Sequence, residues 1–146
     1  MPRITYTSID QIKSKLPFDF MVDSLDDNRD GMIDDDVWQA VAEDAAVTID
    51  GQLGQRYAVP FDISDLPAIV RDASKTLILE TLYIRRGYAD REKNPFRDAA
   101  DRIRKTLAAI GNGDIPLTPD SIKPLPSVMA ITGQARTASA TGRMSV

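Results

Sequence analysis

Apolar residues recur at helical intervals through most of the chain, and the pattern predicts five helices. The first follows a capping box formed by Ser8 and Gln11 and runs to about Leu16. The second has Pro17 in its first turn, and its apolar residues form one stripe: Phe18, Met21, Val22 and Leu25. Two short amphipathic helices are therefore expected before residue 26.

The third predicted helix is the longest, at about five turns. Asp34 or Asp35 caps its N-terminus, where further carboxylates meet the positive end of the helix dipole. Gly51 and Gly54 weaken its C-terminal end, and Pro60 then directs the chain into an extended path. The apolar face of this helix recurs every four residues: Val37, Val41, Ala45, Ile49 and Leu53.

Two more helices follow, each opened by a cap-plus-proline sequence. The fourth begins at residues 64–67 and ends at Gly87, and its apolar run at residues 77–79 predicts that it is the most buried helix. The fifth begins at residues 94–95, carries one clean apolar stripe and ends at Gly111. The chain is therefore expected to form an all-α bundle of about four to five helices.

The helical pattern stops near Gly113. Prolines punctuate the following stretch, and residues 133–146 are rich in Ala, Ser, Thr and Gly without any periodicity. The division predicted is a helical domain at residues 1–113 and an extended, Pro-rich C-terminal arm at residues 114–146. The arm is expected to be disordered or to become ordered on a partner, since it is more apolar than a linker requires.

Composition narrows the possible chemistry. The chain has no histidine and no cysteine, which excludes disulfides and the ligands of most zinc sites and argues against an enzyme. No Gly-rich phosphate loop is visible, because the glycines at residues 51 and 54 end a helix. Without an apolar span or a signal-peptide pattern, the expectation is a soluble protein made in the cytoplasm, with no membrane contact and no cofactor.

The charge is distributed unevenly along the chain. Residues 1–70 hold fourteen acidic and five basic residues, whereas residues 71–111 hold six acidic and ten basic residues. This uneven distribution is typical of a solvated surface that carries charges of both signs. It is also compatible with head-to-tail association of copies, in which an acidic surface meets a basic one. Acidic residues interleave with the basic ones and the net charge is −4, which argues against autonomous DNA binding.

Residues 26–34 match nine positions of an EF-hand calcium loop. Position 12 is Val37, however, so the bidentate glutamate that closes the coordination shell is missing, and no second loop is present. An acidic turn that caps the next helix is the favoured interpretation, and weak calcium binding is the alternative. The candidate ligands are Asp26, Asn28, Asp30, Asp34 and the main-chain oxygen of Met32.

Several short motifs follow one another in an order and spacing that resembles a known family. They are Ile49-Asp50, Leu53, Arg56-Tyr57 and Pro60, then Leu66-Pro67 and Leu82-Tyr83. The chain is similar here to the head-tail connector (adaptor or head-completion) proteins of tailed bacteriophages, in their Mu-type branch. The resemblance covers about residues 5–118, and the tail from Ser121 onward and the calcium-like spacing depart from it.

The resemblance implies a structural virion protein made in the host cytoplasm. It implies a homo-oligomeric ring of twelve copies beneath the portal protein, above the next neck or tail protein. DNA would pass through the lumen without sequence-specific binding. Two other hypotheses stay open: a single-loop calcium-binding helical module, and a DNA-packaging or regulatory factor.

Residue roles can be proposed on the same basis. Portal contact is expected from the apolar positions of the arm: Ile115, Leu117, Ile122, Leu125, Val128 and Met129. Ring closure is expected between an acidic set and a basic set: Asp35, Asp36, Glu43 and Asp44 against Arg97, Arg102, Arg104 and Lys105. A structural role, in bracing or packing, is expected for Arg56, Tyr57, Pro60 and Tyr83.

Overall fold

The computed structural model describes residues 4–117, and within that range the chain is all-α, with no β-strand. A 3-10 turn at Ile63–Asp65 precedes the fourth helix. The five helices are α1 (Ile9–Lys13), α2 (Phe18–Leu25), α3 (Asp35–Leu53), α4 (Ala68–Arg85) and α5 (Arg97–Asn112). The predicted fold class, a small helical bundle, is confirmed.

Helix α4 lies at the centre of the bundle. It contacts each of the other four helices, and α3 and α5 also pack against each other, so these three long helices enclose the main core. Ile49 of α3, Leu82 of α4 and Leu107 of α5 are fully buried there. Each such side chain stabilises the fold by roughly 1.5–3 kcal/mol relative to exposure. The expectation that the fourth helix is the most buried is confirmed.

The starts or ends of three helices differ from the sequence-based expectation. Helix α5 begins at Arg97, after an N-cap at Phe96, and not at the expected residues 94–95. Helix α1 ends at Lys13, before the expected Leu16. Residue 66 is extended (φ −78°, ψ 128°) because a residue that precedes proline avoids the helical region. The cap expected at Ser64 is therefore wrong for α4, which begins only at Ala68. Asp62 instead caps the 3-10 turn, and its carboxylate accepts the Ser64 N–H at 3.0 Å.

Gly111 lies inside α5 and does not end it, which corrects the predicted helix stop. The helix ends one residue later, and Gly113 follows with a left-handed φ of 89°. A Cβ added at Gly111 would lie 2.3 Å from the main-chain oxygen of Gln52 in α3. The glycine is therefore required by close contact between two helices, which is a tertiary property.

The segment before α1 is held to the bundle by Tyr6. Its hydroxyl donates to Asp50 Oδ1 at 2.7 Å and accepts the Phe61 N–H at 3.0 Å. Burial raises the pKa of the Asp50 carboxyl, although the hydrogen bond from Tyr6 partly lowers it. Burial and the bond to Asp50 likewise raise the pKa of the Tyr6 hydroxyl.

The raised pKa of Asp50 predicts a pH-dependent penalty on stability. The folded state binds a proton at Asp50 more tightly than the unfolded state, so stability is lost as pH rises above the ordinary value of 3.8. We expect the free energy of unfolding of the native chain, measured relative to Asp50→Asn, to decrease as pH rises through this window. Urea titrations at a series of pH values measure the difference.

Asp62→Asn is the matched control, because hydrogen bonds from Ser64 lower the pKa of the Asp62 carboxyl. Asp62 therefore contributes stability that is lost as pH falls towards and below 3.8, which is the opposite sign. A difference between the native chain and Asp50→Asn that does not change with pH would contradict the role assigned to Asp50.

Candidate functional site

The acidic loop at residues 26–34 joins α2 to α3 and is closed by its own hydrogen bonds. The carboxylate of Asp26 accepts the N–H groups of Asp30 at 3.1 Å and Gly31 at 2.8 Å. The carboxylate of Asp34 accepts the Asp27 N–H at 2.8 Å. Asp34 is the N-cap residue of α3 by position, but its side chain binds the loop and not the first turn of the helix. The predicted position of the cap is therefore confirmed, whereas a capping hydrogen bond to the Asp34 side chain is absent.

Three carboxylates of the loop converge. One oxygen from each of Asp26, Asp30 and Asp34 lies within 4.8 Å of the others. These are positions 1, 5 and 9 of the EF-hand pattern, and carboxylate oxygens are the ligands that Ca²⁺ prefers. Val37, at position 12, packs against the core and supplies no ligand. The loop could thus hold a hard cation with an incomplete set of protein ligands.

The charge state of Asp26 is fixed by the main chain. Desolvation acts to raise its pKa, but the hydrogen bonds from the N–H groups of Gly31 and Asp30 outweigh that effect, and the pKa lies below its ordinary value. The closed loop therefore favours an ionised Asp26, and this contribution is lost as pH falls below the ordinary range. The remaining candidate ligands lie in the same loop. Asn28 Oδ1 accepts the Asp30 N–H at 3.1 Å, and Met32, whose main-chain oxygen is the candidate ligand, is 66% exposed as a residue.

Arg85 ties the start of the loop to the central helix. Its Nε donates to the main-chain oxygen of Ser24 at 2.7 Å, and its guanidinium pairs with the Asp27 carboxylate. The side chain of Arg85 is 31% exposed, so the pair is partly shielded from solvent. This contact fixes the loop against α4, and sequence reasoning did not find it because the two residues are 58 positions apart.

Glu80 is a buried carboxylate that sequence reasoning missed. It is 1% exposed, and its carboxylate accepts hydrogen bonds from Arg97 at 3.2 Å and from Arg104 at 3.1 Å. The hydrogen bond to Glu80 also raises the pKa of the Arg104 guanidinium. A glutamate beside the apolar run at residues 77–79 was the available signal. Two of the arginines expected at a ring interface therefore hold a buried charge within their own chain.

The other basic candidates on α5 point elsewhere. Arg102 and Lys105 are exposed and form no ion pair within residues 4–117. On α3, Asp35, Asp36 and Asp44 are also exposed and have no ion pair in the described part of the chain, whereas Glu43 is partly buried. The structure thus separates the candidate ring residues into a paired group and an exposed group, and the ring assignment itself stays a prediction.

The acidic candidates border a groove between the loop, α3 and α4. Its volume is about 300 Å³, and it has a floor of Val37, Ala40 and Val41. Carboxylates of Asp36 and Asp44 lie along it. Asp27 and Arg85, which pair with each other, also line the groove. An apolar strip beside the carboxylates of Asp36 and Asp44 suits a partner that carries basic and apolar side chains.

Two motif residues that follow α3 contact the chain after α5, where the C-terminal arm begins. Tyr57 is buried, and its hydroxyl accepts the Leu117 N–H at 3.0 Å. Arg56 is exposed. Its guanidinium lies against Gly113, since a Cβ added to that glycine would be 2.8 Å from Arg56 Cζ. Pro60 is exposed and follows a cis peptide bond.

Tyr83 packs in an aromatic cluster, with ring centroids 4.5 Å from Phe20 and 5.5 Å from Phe96. Of the expected portal-contact residues, Ile115 is 44% exposed and Leu117 is buried. The others lie outside the described residues: Ile122, Leu125, Val128 and Met129.

The helical packing and the acidic loop between α2 and α3 define a small all-α protein. No helix in the described range 4–117 has the length and apolar character needed to cross a bilayer. The family model for Bacteriophage Mu, Gp36 matches residues 6–130, so the chain belongs to this family and is a bacteriophage protein. Searches of curated proteins and of solved structures found no match.

The family match extends further along the chain than the motifs that suggested a phage protein. Those motifs end near residue 118, whereas the match continues to residue 130. The segment that begins at Ser121 therefore belongs to the family region as far as residue 130, which corrects the expectation that this tail departs from the family.

Proposed function

We propose that this chain is a structural protein of the phage neck, where it forms a ring of twelve copies between the portal and the tail. Membership of the Bacteriophage Mu, Gp36 family over residues 6–130 is the observation that carries the proposal. The ring extends the DNA channel, and DNA passes through it without sequence-specific binding. The portal and the next neck or tail protein are its partners, and the protein acts without catalysis or a cofactor.

Ring closure uses the exposed group of charges. Asp36 and Asp44 border the groove on α3, and Asp35 is exposed on the same helix. Glu43, the other acidic candidate on α3, is partly buried and is not part of this exposed group. Arg102 and Lys105 lie three residues apart on α5 and therefore share a face of the helix. An acidic surface on one copy that meets a basic surface on the next is a heterologous contact, which generates a ring when the rotation closes.

Negative-stain images of the full chain mixed with its portal test the proposal. We expect rings of the native chain, and we expect Arg102→Glu combined with Lys105→Glu to abolish them. These substitutions lie on the surface, so each should change the free energy of unfolding by no more than about 0.5 kcal/mol. Unchanged far-UV circular dichroism of the variant is the control.

Two results would count against this picture. Absence of rings for the native chain with portal, at every ratio and ionic strength tried, contradicts the neck assignment. Rings that persist in the double variant contradict only the choice of surfaces, because the neck assignment does not depend on them.

A second candidate function is weak calcium binding by the acidic loop, and the convergence of Asp26, Asp30 and Asp34 favours it. A single loop without the closing glutamate is expected to bind with a Kd of about 1 mM. At about 10 mM calcium, that affinity would stabilise the chain by roughly 1.4 kcal/mol. Thermal unfolding and titration calorimetry measure the effect.

Asp30→Asn should remove the stabilisation by calcium, while Asp35→Asn, outside the cluster, should keep it. No heat and no thermal shift of the native chain at millimolar calcium would eliminate this second function. The fold would be unaffected by that outcome, because the loop is closed by hydrogen bonds from its own main chain.

A further inference from the structure

An apolar groove of about 340 Å³ lies where the described part of the chain ends. Ala68 and Ile69 of α4 form one side, Thr106 and Ile110 of α5 form another, and residues 115–117 form the third. Ligand pockets span roughly 300–1,000 Å³, so this groove is suited to a few aliphatic side chains and not to a helix.

The chain itself leads along this groove. Leu117 is buried at its edge, and its N–H donates to the Tyr57 hydroxyl at 3.0 Å, which holds residue 117 at the groove. Ile115 lines the groove but keeps 44% of its surface exposed, so the groove has uncovered apolar surface. Twenty-nine residues of the sequence follow Leu117.

The sequence after residue 117 has an apolar pattern of period three: Ile122, Leu125, Val128 and Ile131. Prolines at positions 119, 124 and 126 favour extended, polyproline-type backbone. That conformation has three residues per turn, so side chains three residues apart project from one face. The pattern thus predicts a single apolar ridge, which is the shape that a narrow apolar groove accepts.

We infer that the groove is occupied by the chain's own residues 122–128, which dock with Ile122, Leu125 and Val128 facing it. Ile122 lies five positions after Leu117, so five residue steps join them. They span at most about 17 Å, which is enough for the chain to turn back onto the groove. A short tether gives an effective concentration in the millimolar range, so the same chain outcompetes a second copy at roughly micromolar protein.

The extent of the family match supports this occupant. The match continues to residue 130 and includes Ile122, Leu125 and Val128, but it excludes the Ala/Ser/Thr-rich remainder. The inference concerns the isolated chain and does not rest on the neck assignment. If the same residues contact a portal after assembly, they must first leave this groove.

Cysteine cross-linking in the full chain tests the inference, since the native sequence has no cysteine. Thr106→Cys places one thiol in the groove, and Leu125→Cys places the second on the ridge. Under mild oxidation of micromolar protein, we expect an intrachain disulfide, seen as a monomer of altered mobility on a non-reducing gel. Circular dichroism before oxidation checks that the variant is folded.

Thr106→Cys combined with Lys123→Cys or Ser127→Cys is the matched control. Both positions lie within two residues of Leu125 but off the ridge, so a random tether would give nearly equal rates for all three pairs. We expect the Leu125→Cys pair to react at least about fivefold faster, as the effective concentration in a docked geometry requires. Adding Ile122→Asp and Val128→Asp should reduce that rate to the control rate.

Equal rates for the three pairs would overturn the inference. A predominantly interchain disulfide would also overturn it, because the occupant would then be a second copy. Neither result bears on the neck assignment, which is tested by rings formed with the portal.

Discussion

Replacing Arg97 and Arg104 together with alanine is expected to lower the free energy of unfolding by about 3 kcal/mol, because it leaves a buried carboxylate without a partner. Glu80 is 1% exposed and accepts hydrogen bonds from both guanidinium groups. The two arginine side chains are themselves 34% and 43% exposed, so most of the expected loss of stability comes from the buried Glu80 carboxylate. Urea unfolding followed by circular dichroism measures the loss.

The expected loss of stability comes from the unpaired charge of Glu80, so removing that charge should recover part of the free energy of unfolding. Adding Glu80→Leu to the double alanine variant is expected to restore stability, since an apolar residue of similar size suits a buried site. Arg102→Ala is the matched control on the exposed face of α5, and a change below about 0.5 kcal/mol is expected. If the double alanine variant costs no more than Arg102→Ala, the buried cluster of Glu80, Arg97 and Arg104 has no special role.

The second large effect is expected at Gly111. Alanine normally stabilises a helix interior relative to glycine by about 1 kcal/mol. At Gly111, however, the new Cβ would lie 2.3 Å from the Gln52 oxygen, so α5 and α3 must move apart. We expect Gly111→Ala to destabilise the chain by about 2–3 kcal/mol, as overpacking of a dense core does. Thermal or urea unfolding of the full chain measures the change.

Gly51→Ala is the matched control with the opposite expected sign. Gly51 is also helical, and nothing lies within 4 Å of the Cβ that alanine would add. The substitution should therefore stabilise the chain by about 0.5–1 kcal/mol. A stabilising effect at both positions would contradict the close contact between α3 and α5.

The helical architecture could be predicted because its signals are local. The apolar repeat from Val37 to Leu53 and the capping box at Ser8 and Gln11 act over one or two turns of helix. Gln11 Oε1 indeed accepts the Ser8 N–H at 3.1 Å. Asn94 Oδ1 accepts the Phe96 N–H at 3.0 Å, but this bond lies in the turn before α5 and does not cap the helix. The error at the start of α4 arises where two local signals compete, because Pro67 holds Leu66 extended. The error at Gly111 has a tertiary cause, the contact with α3.

The candidate site could be predicted only in part. Spacing alone placed Asp26, Asp30 and Asp34 in one loop, and the structure brings their carboxylates together. Spacing could not show that Arg85 anchors that loop, or that Arg97 and Arg104 hold Glu80. Ion pairs across 17 to 58 residues depend on how helices cross, and no local pattern encodes that.

By itself, the sequence determined an all-α bundle with a central fourth helix, an acidic loop before the longest helix, and membership of a phage family. These properties follow from periodicity, capping and motif order, which are written along the chain. Only the tertiary structure decided which charges are exposed and why Gly111 is a glycine. Burial and helix contact arise between distant segments. They determine how much a buried charge, or a Cβ added at Gly111, costs in free energy of unfolding.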